Sequence, residues 1–237
     1  MFFPFYYLDP RYLIYMVPAF LIMMFAQWRV SAAYSKWSKI ASNTRLTGAQ
    51  AAQRLIQAGG LYGVQVSGIG GNLTDHYDPR TKELRLSPGV YQGNSVAALA
   101  IAAHELGHAQ QDQEDYFPMR LRSAMVPAVN IGSYLGWGLI LVGLLIRITS
   151  VAWLGVLVFS LGAVFALATL PVEFNASARA RRLLADSGMI SGTDEERGVN
   201  SVLNAAAFTY VAALFTAVMQ LLYWATLVMG MGGRRRN

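Results

Sequence analysis

Four long apolar stretches, residues 12–28, 126–146, 151–170 and 205–229, constrain this chain more than any other feature in it. A helix rises about 1.5 Å per residue, so each is long enough, or nearly so, to cross about 30 Å of hydrocarbon. Any one of them alone would pass as the core helix of a soluble protein. Four of them within 237 residues leave too little polar sequence to wrap them, because only 14% of the chain is charged and a soluble domain averages about a quarter. The chain reads as a mainly α, multi-pass membrane protein with about four transmembrane helices. The first stretch is expected to be a retained span with Pro18 as a kink. Its start is aromatic rather than basic, and Ser31-Ala32-Ala33, the nearest approach to a cleavage site, runs straight into Tyr34.

The formal charge of +6 invites a nucleic-acid partner, but the placement of the basic residues argues for a bilayer instead. Arg29, Lys36, Lys39 and Arg45 follow the first stretch, Arg120 and Arg122 precede the second, and Arg179, Arg181 and Arg182 follow the third. With four spans, residues 29–125 and 171–204 share one side and hold 14 of the 19 basic residues. The positive-inside rule makes that side cytoplasmic. Arg234, Arg235 and Arg236 then fall on the other side, against the rule. Cysteine is absent, so no disulfide and no thiolate ligand is available, and a metal site has to be built from His, Asp and Glu.

Between the first two spans the chain changes character. Thr47 and Gln50 fit a capping box for a helix over 48–58, which Gly59-Gly60 ends. Residues 61–67 alternate as a strand, and 68–72 form a glycine-rich turn. Asp78-Pro79 between two extended segments predicts a hairpin that runs to Ser87. A helix is expected over 95–111, capped by Asn94 or Ser95, and it carries His104-Glu105-Leu106-Gly107-His108. Only three histidines occur in the chain, and two are in this motif. Four residues apart on a helix, both imidazoles leave from one face and can serve a single zinc ion, Zn2+. Glu105 stands beside the ion's open position, placed to take a proton from a polarised water and return it to a leaving amine. A zinc protease also needs a strand edge beside the metal to hold extended substrate, and either arm of the hairpin could supply it.

A third ligand has to come from elsewhere. Glu173 is the leading candidate, just past the third span, with Pro171 expected in the first turn of a new helix. A carboxylate at a membrane-helix end needs a partner, either zinc or one of Arg179 and Arg182. His76 has three readings: donor to the reaction's oxyanion, third ligand, or polar surface. Tyr77 shares the first and the last. Arg179 and Arg182, on one helix face, suit either the oxyanion or phospholipid headgroups. Asp112, four residues after His108, could orient that ring, against which stands its distance along the helix.

The segments 74–79, 104–109, 125–127 and 170–177, with HExxH followed after two hydrophobic segments by Glu-x-x-Ala, resemble the gluzincin plan of integral-membrane metalloproteases. More closely they resemble the bacterial neutral zinc metallopeptidase family often called YugP-type. The resemblance covers nearly the whole chain. It implies a cell-membrane zinc metalloendopeptidase with a small α+β zincin-like domain containing a short hairpin or edge strand. By that likeness His104, His108 and Glu173 are the metal ligands and Glu105 the catalytic base. Ser177 departs from the plan, because related groups often place an Asp there to support a ligand histidine.

The expected organisation is a first span in residues 1–28, a protease domain over 29–125, and two spans over 126–170. A helix carrying the third ligand then fills 171–204, followed by a span over 205–230 and a basic tail over 231–237. Expected partners are a protein or peptide substrate near the bilayer and, in addition, membrane proteins or further copies of the chain. The competing reading is a non-catalytic membrane scaffold or assembly factor that keeps zinc for structure. A transporter fits poorly, since no span carries a carboxylate at its middle.

Overall fold

A computed structural model describes residues 9–233, so the arginine run at 234–236 and the first eight residues lie outside the described residues. Its elements in order are α1 (Pro10–Trp37), α2 (Gly48–Ala58), β1 (Gln65–Gly68), β2 (His76–Asp78), β3 (Glu83–Leu86), α3 (Pro88–Tyr91), α4 (Val96–Gln113), α5 (Phe117–Leu145), α6 (Thr149–Phe159), α7 (Leu161–Asp186) and α8 (Thr193–Gly233). Four helices are long and apolar enough to cross a membrane: Pro10–Trp37, Phe117–Leu145, Thr149–Asp186 and Thr193–Met231. The fold class is the one the apolar stretches imply, mainly α with a small sheet. Ile14, Phe20, Ile131, Leu157 and Leu222 are 45 to 69% exposed. Side chains of that kind turned outward on four helices form a surface suited to hydrocarbon rather than water.

The chain divides into two compact units. One comprises residues 9–25, 121–170 and 209–233 of the described chain. In it α5 and α6 form a hairpin in which glycines let the backbones touch. A Cβ on Gly143 would sit 2.4 Å from Ala152 N, and one on Gly155 would sit 2.5 Å from Ile140 N. Such small-residue contacts replace the hydrophobic effect as the source of helix affinity inside a bilayer. Tyr223 and Trp224 of α8 close this unit's core with Ile140, Val156 and Tyr12.

The other unit comprises Ala26–Arg120 and Pro171–Phe208. At its centre is α4, with Ala97, Ala100, Ala102, Ala103 and Leu106 all 0% exposed. Ser95 caps the helix by accepting from Ala98 N–H, and Ile40 C=O accepts from Val96 N–H. Two of the N–H groups that a helix start leaves open are thereby satisfied. The capping box on α2 is present in full. The sheet has the order β1-β3-β2. β1 runs parallel to β3, from Gln65↔Glu83 to Gly68↔Leu86, and β2 is antiparallel to it through Tyr77↔Leu84. Alternation puts Tyr77, Leu84 and Leu86 inward, the two leucines fully buried. The hairpin expected from Asp78-Pro79 is therefore β2–β3. The strand expected over 61–67 forms only from Gln65, because Gly63 takes a positive φ of 84° in a turn that no strand residue tolerates.

One boundary differs. Pro171 lies inside α7 instead of opening a new helix, and the interruption falls earlier, at Ser160, which caps α6. Proline forfeits one main-chain hydrogen bond and crowds the carbonyl four residues back, which bends a helix without having to end it. Glu173 therefore stands on the continuation of the helix whose earlier turns are apolar.

Candidate metal centre

His104 and His108 lie one turn apart on α4, with their rings edge to face and centroids 4.9 Å apart. Glu173 meets them from α7. The two Nε2 atoms lie 3.4 and 3.6 Å from the same oxygen, Glu173 Oε2, and one ligand atom from each residue falls within 4.8 Å of the others. Two atoms bound about 2.1 Å from one tetrahedral zinc stand about 3.4 Å apart. The two His–Glu distances match that spacing, and two imidazole nitrogens with one carboxylate are donors that suit zinc. The Glu173 side chain is 3% exposed, a depth at which a carboxylate needs cationic or donor neighbours.

The two helices meet here through Gly107, where a Cβ would lie 2.4 Å from Ala176 C=O. The glycine inside the HExxH motif is thus what lets α4 press its backbone against α7. Ala176 and Ala180, both fully buried, continue the same flat contact.

Each ring is also held from behind. His108 Nδ1 is 3.0 Å from Gln111 Oε1, while Gln111 Nε2 donates to Val172 C=O at 2.8 Å and to Asn175 Oδ1 at 3.0 Å. A carbonyl can only accept, so the Gln111 amide has one orientation and its oxygen faces the ring. His108 must then carry a proton on Nδ1, so that in the neutral ring Nε2 is the nitrogen left to bind a metal on the side of Glu173. Arg179 extends the chain: its Nε donates to Asn175 Oδ1 at 2.7 Å, and its two terminal nitrogens each donate to Glu114 at 2.7 Å. His104 Nδ1 lies 3.3 Å from Ser177 Oγ, so the serine at the departing position stands behind a histidine ring. Burial disfavours the charged form of His108, but the neighbouring Glu173 and Glu105 carboxylates outweigh it and hold its pKa above the ordinary value.

Glu105 points towards the sheet. Its Oε2 accepts the main-chain N–H of Tyr77 at 3.1 Å. Burial raises its pKa, opposed by His104 and His108, which suits a carboxylate that must take up a proton and release it again. Tyr77 Oη donates to Asp112 Oδ2 at 2.7 Å. Burial, then that hydrogen bond, raises its pKa and keeps it a phenol.

The chain has known relatives. A protein family described as "Putative neutral zinc metallopeptidase" matches residues 12–229. The chain belongs to that family. A Bacillus subtilis (strain 168) protein described as "Putative membrane protease YugP" is 42% identical over 221 residues, which is 93% of this chain and 97% of that protein. No solved structure matches. The family's description implies zinc, and His104, His108 and Glu173 form a cluster that could hold a metal ion.

The remaining sequence candidates are dispersed around this cluster. His76 Nδ1 donates to Thr74 C=O at 2.8 Å and is not among the three grouped donors. Arg179 is engaged by Glu114 and Asn175 as described. Asp112, a candidate to orient His108, instead binds Tyr77 and, at 2.5 Å, Lys82 Nζ. Gln111 takes the place behind His108. Sequence reasoning passed over both Gln111 and Asn175. The available signal was spacing: Gln111 is three residues after His108 and so on the same helix face.

Proposed function

We propose that the protein is an integral-membrane zinc metalloendopeptidase whose ion is held by His104 Nε2, His108 Nε2 and Glu173. The observation that carries the reading is the convergence of both Nε2 atoms on one Glu173 oxygen, beside a glutamate anchored to an edge strand. Zinc bound there would act as a Lewis acid, lowering the pKa of a water towards about 7 and polarising a peptide carbonyl. Glu105 takes the proton from the attacking water and hands it to the departing nitrogen, turning one bond cleavage into two proton transfers over short paths. Gln111 and Ser177 keep the imidazoles turned towards the ion. β2 is an edge strand, and with its Tyr77 N–H held by Glu105 its other outward main-chain groups would receive an extended peptide.

Membrane-associated proteins or peptides are the substrate class, since the helix carrying Glu173 is continuous with an apolar one. The 14 basic residues over 29–125 and 171–204 support a site on the cytoplasmic side of the cell membrane. Purified Glu105→Gln protein is expected to carry as much zinc as the wild type and to lose about 10²- to 10⁴-fold in kcat. Unchanged cellular function in the variant removes the peptidase reading in favour of a zinc-bearing scaffold. Glu173→Ala is expected to lose zinc while His76→Ala keeps it, and the reverse outcome transfers the third ligand to His76. Equal rates on tethered and free peptides would count against the membrane-associated substrate.

A further inference from the structure

Tyr77 touches α4 at two places. Its main-chain N–H donates to Glu105 Oε2 and its hydroxyl to Asp112 Oδ2. Glu105 and Asp112 are seven residues apart, two turns and about 10 Å along one helix face. The tyrosine therefore lies along that face, its backbone at the motif glutamate and its ring tip two turns further on, with the ring buried between. Neighbouring residues of an antiparallel strand turn their main-chain groups to opposite sides. The Tyr77 N–H on Glu105 thus faces away from β3, towards the outer edge of β2. Asp112 also accepts from Lys82 Nζ, in the turn that precedes β3, so one carboxylate collects a donor from β2 and another from the hairpin's turn. The sheet itself leaves the distance between β2 and α4 undetermined, since strand pairing aligns β2 with β3 only.

We infer that Tyr77 and Asp112 form a strut that fixes the edge strand against the HExxH helix and so positions Glu105, making both of them positioning residues. The inference rests on the peptidase reading and adds residues that no metal or proton touches directly. With the strut in place, one Glu105 oxygen is occupied by the strand and the other is left for a proton. A peptide paired with β2 is also placed at a set height above the two imidazoles. Without the hydroxyl bond, β2 and the base can shift together, and a displacement of about 1 Å is enough to slow catalysis by up to about a hundredfold.

The experiment uses the full chain in detergent, loaded with zinc, as Tyr77→Phe, Asp112→Ala and Asp112→Asn. Tyr77→Phe keeps the ring and the main-chain N–H and removes only the strut's far end. It is expected to lower kcat about tenfold or more with a KM change of less than about threefold, at unaltered zinc content. Amide exchange over residues 74–79 should speed up while that of the first turns of α4 stays as it was. Asp112→Ala should match it without adding to it in the double variant, and Asp112→Asn, which still offers an acceptor, should recover most of the loss. Wild-type kcat in Tyr77→Phe, or unchanged exchange over 74–79, overturns the strut. A loss that Asp112→Asn does not recover, or one accompanied by zinc release, also overturns it, by showing general unfolding of the site. Failure of the peptidase reading looks different: the zinc-loaded wild type itself then cleaves no peptide, and the exchange over 74–79 alone decides whether the strut exists.

Discussion

Gln111 shows how much a single residue outside any motif decides. It is fully buried, and with both amide hydrogens donated to α7 it has one orientation, which assigns the His108 tautomer. Replacing it by leucine keeps the volume and removes all three bonds. Zinc affinity is expected to fall about 10- to 100-fold, the usual effect of losing the partner behind a ligand histidine, as measured by competition with a chromophoric chelator. Ser177→Ala should cost less, since its bond to His104 is the longer one at 3.3 Å. An affinity unchanged in Gln111→Leu would show that the Val172 and Asn175 contacts do nothing for the ring.

Between elements, the contact of α4 with α7 is the critical one. Gly107→Ala adds a methyl 2.4 Å from Ala176 C=O, a rigid backbone atom, so the helices must separate. The alanine gains about 1 kcal/mol of helix propensity, but overpacking of this kind costs about 1 to 3 kcal/mol. The variant is expected to bind zinc more weakly and to melt lower, read by metal content and thermal denaturation in detergent. Farther along the same pair of helices, Arg179 bridges to Glu114, hydrogen-bonding it and holding its pKa below the usual carboxylate value. A depressed carboxylate stabilises the fold above its unfolded pKa of about 4.3 and ceases to as pH falls through its lower folded value. Glu114→Gln should therefore cost less than about 1 kcal/mol at pH 7, the side chain being 57% exposed and screened. Melting curves of variant and wild type should converge below pH about 4.

For the molecule as a whole, the unit that carries the site is assembled from two sequence segments, Ala26–Arg120 and Pro171–Phe208, and the metal would join them. Removing zinc with a chelator is expected to lower the melting temperature reversibly. Bound at a thousand times its dissociation constant, a ligand contributes about 4 kcal/mol. Calorimetry with and without chelator measures this, and Glu173→Ala should show no chelator effect at all. The apolar helices of the other unit should melt independently of the metal.

The sequence alone determined what periodicity and local chemistry control. The four apolar runs are helices because a backbone in hydrocarbon must satisfy its own hydrogen bonds. The capping box, the hairpin turn and the two imidazoles on one face follow from residues within a few positions of each other. Even Glu173 is legible as a candidate, from its type and its place after a span. What only the tertiary structure decided is everything that spans distance along the chain. It determined that α7 runs through Pro171, that Gly107 meets Ala176, that Gln111 and not Asp112 stands behind His108, and that Asp112 grips Tyr77. Such pairings depend on which helix faces which, and no local pattern encodes that, because it is fixed only when the whole core closes.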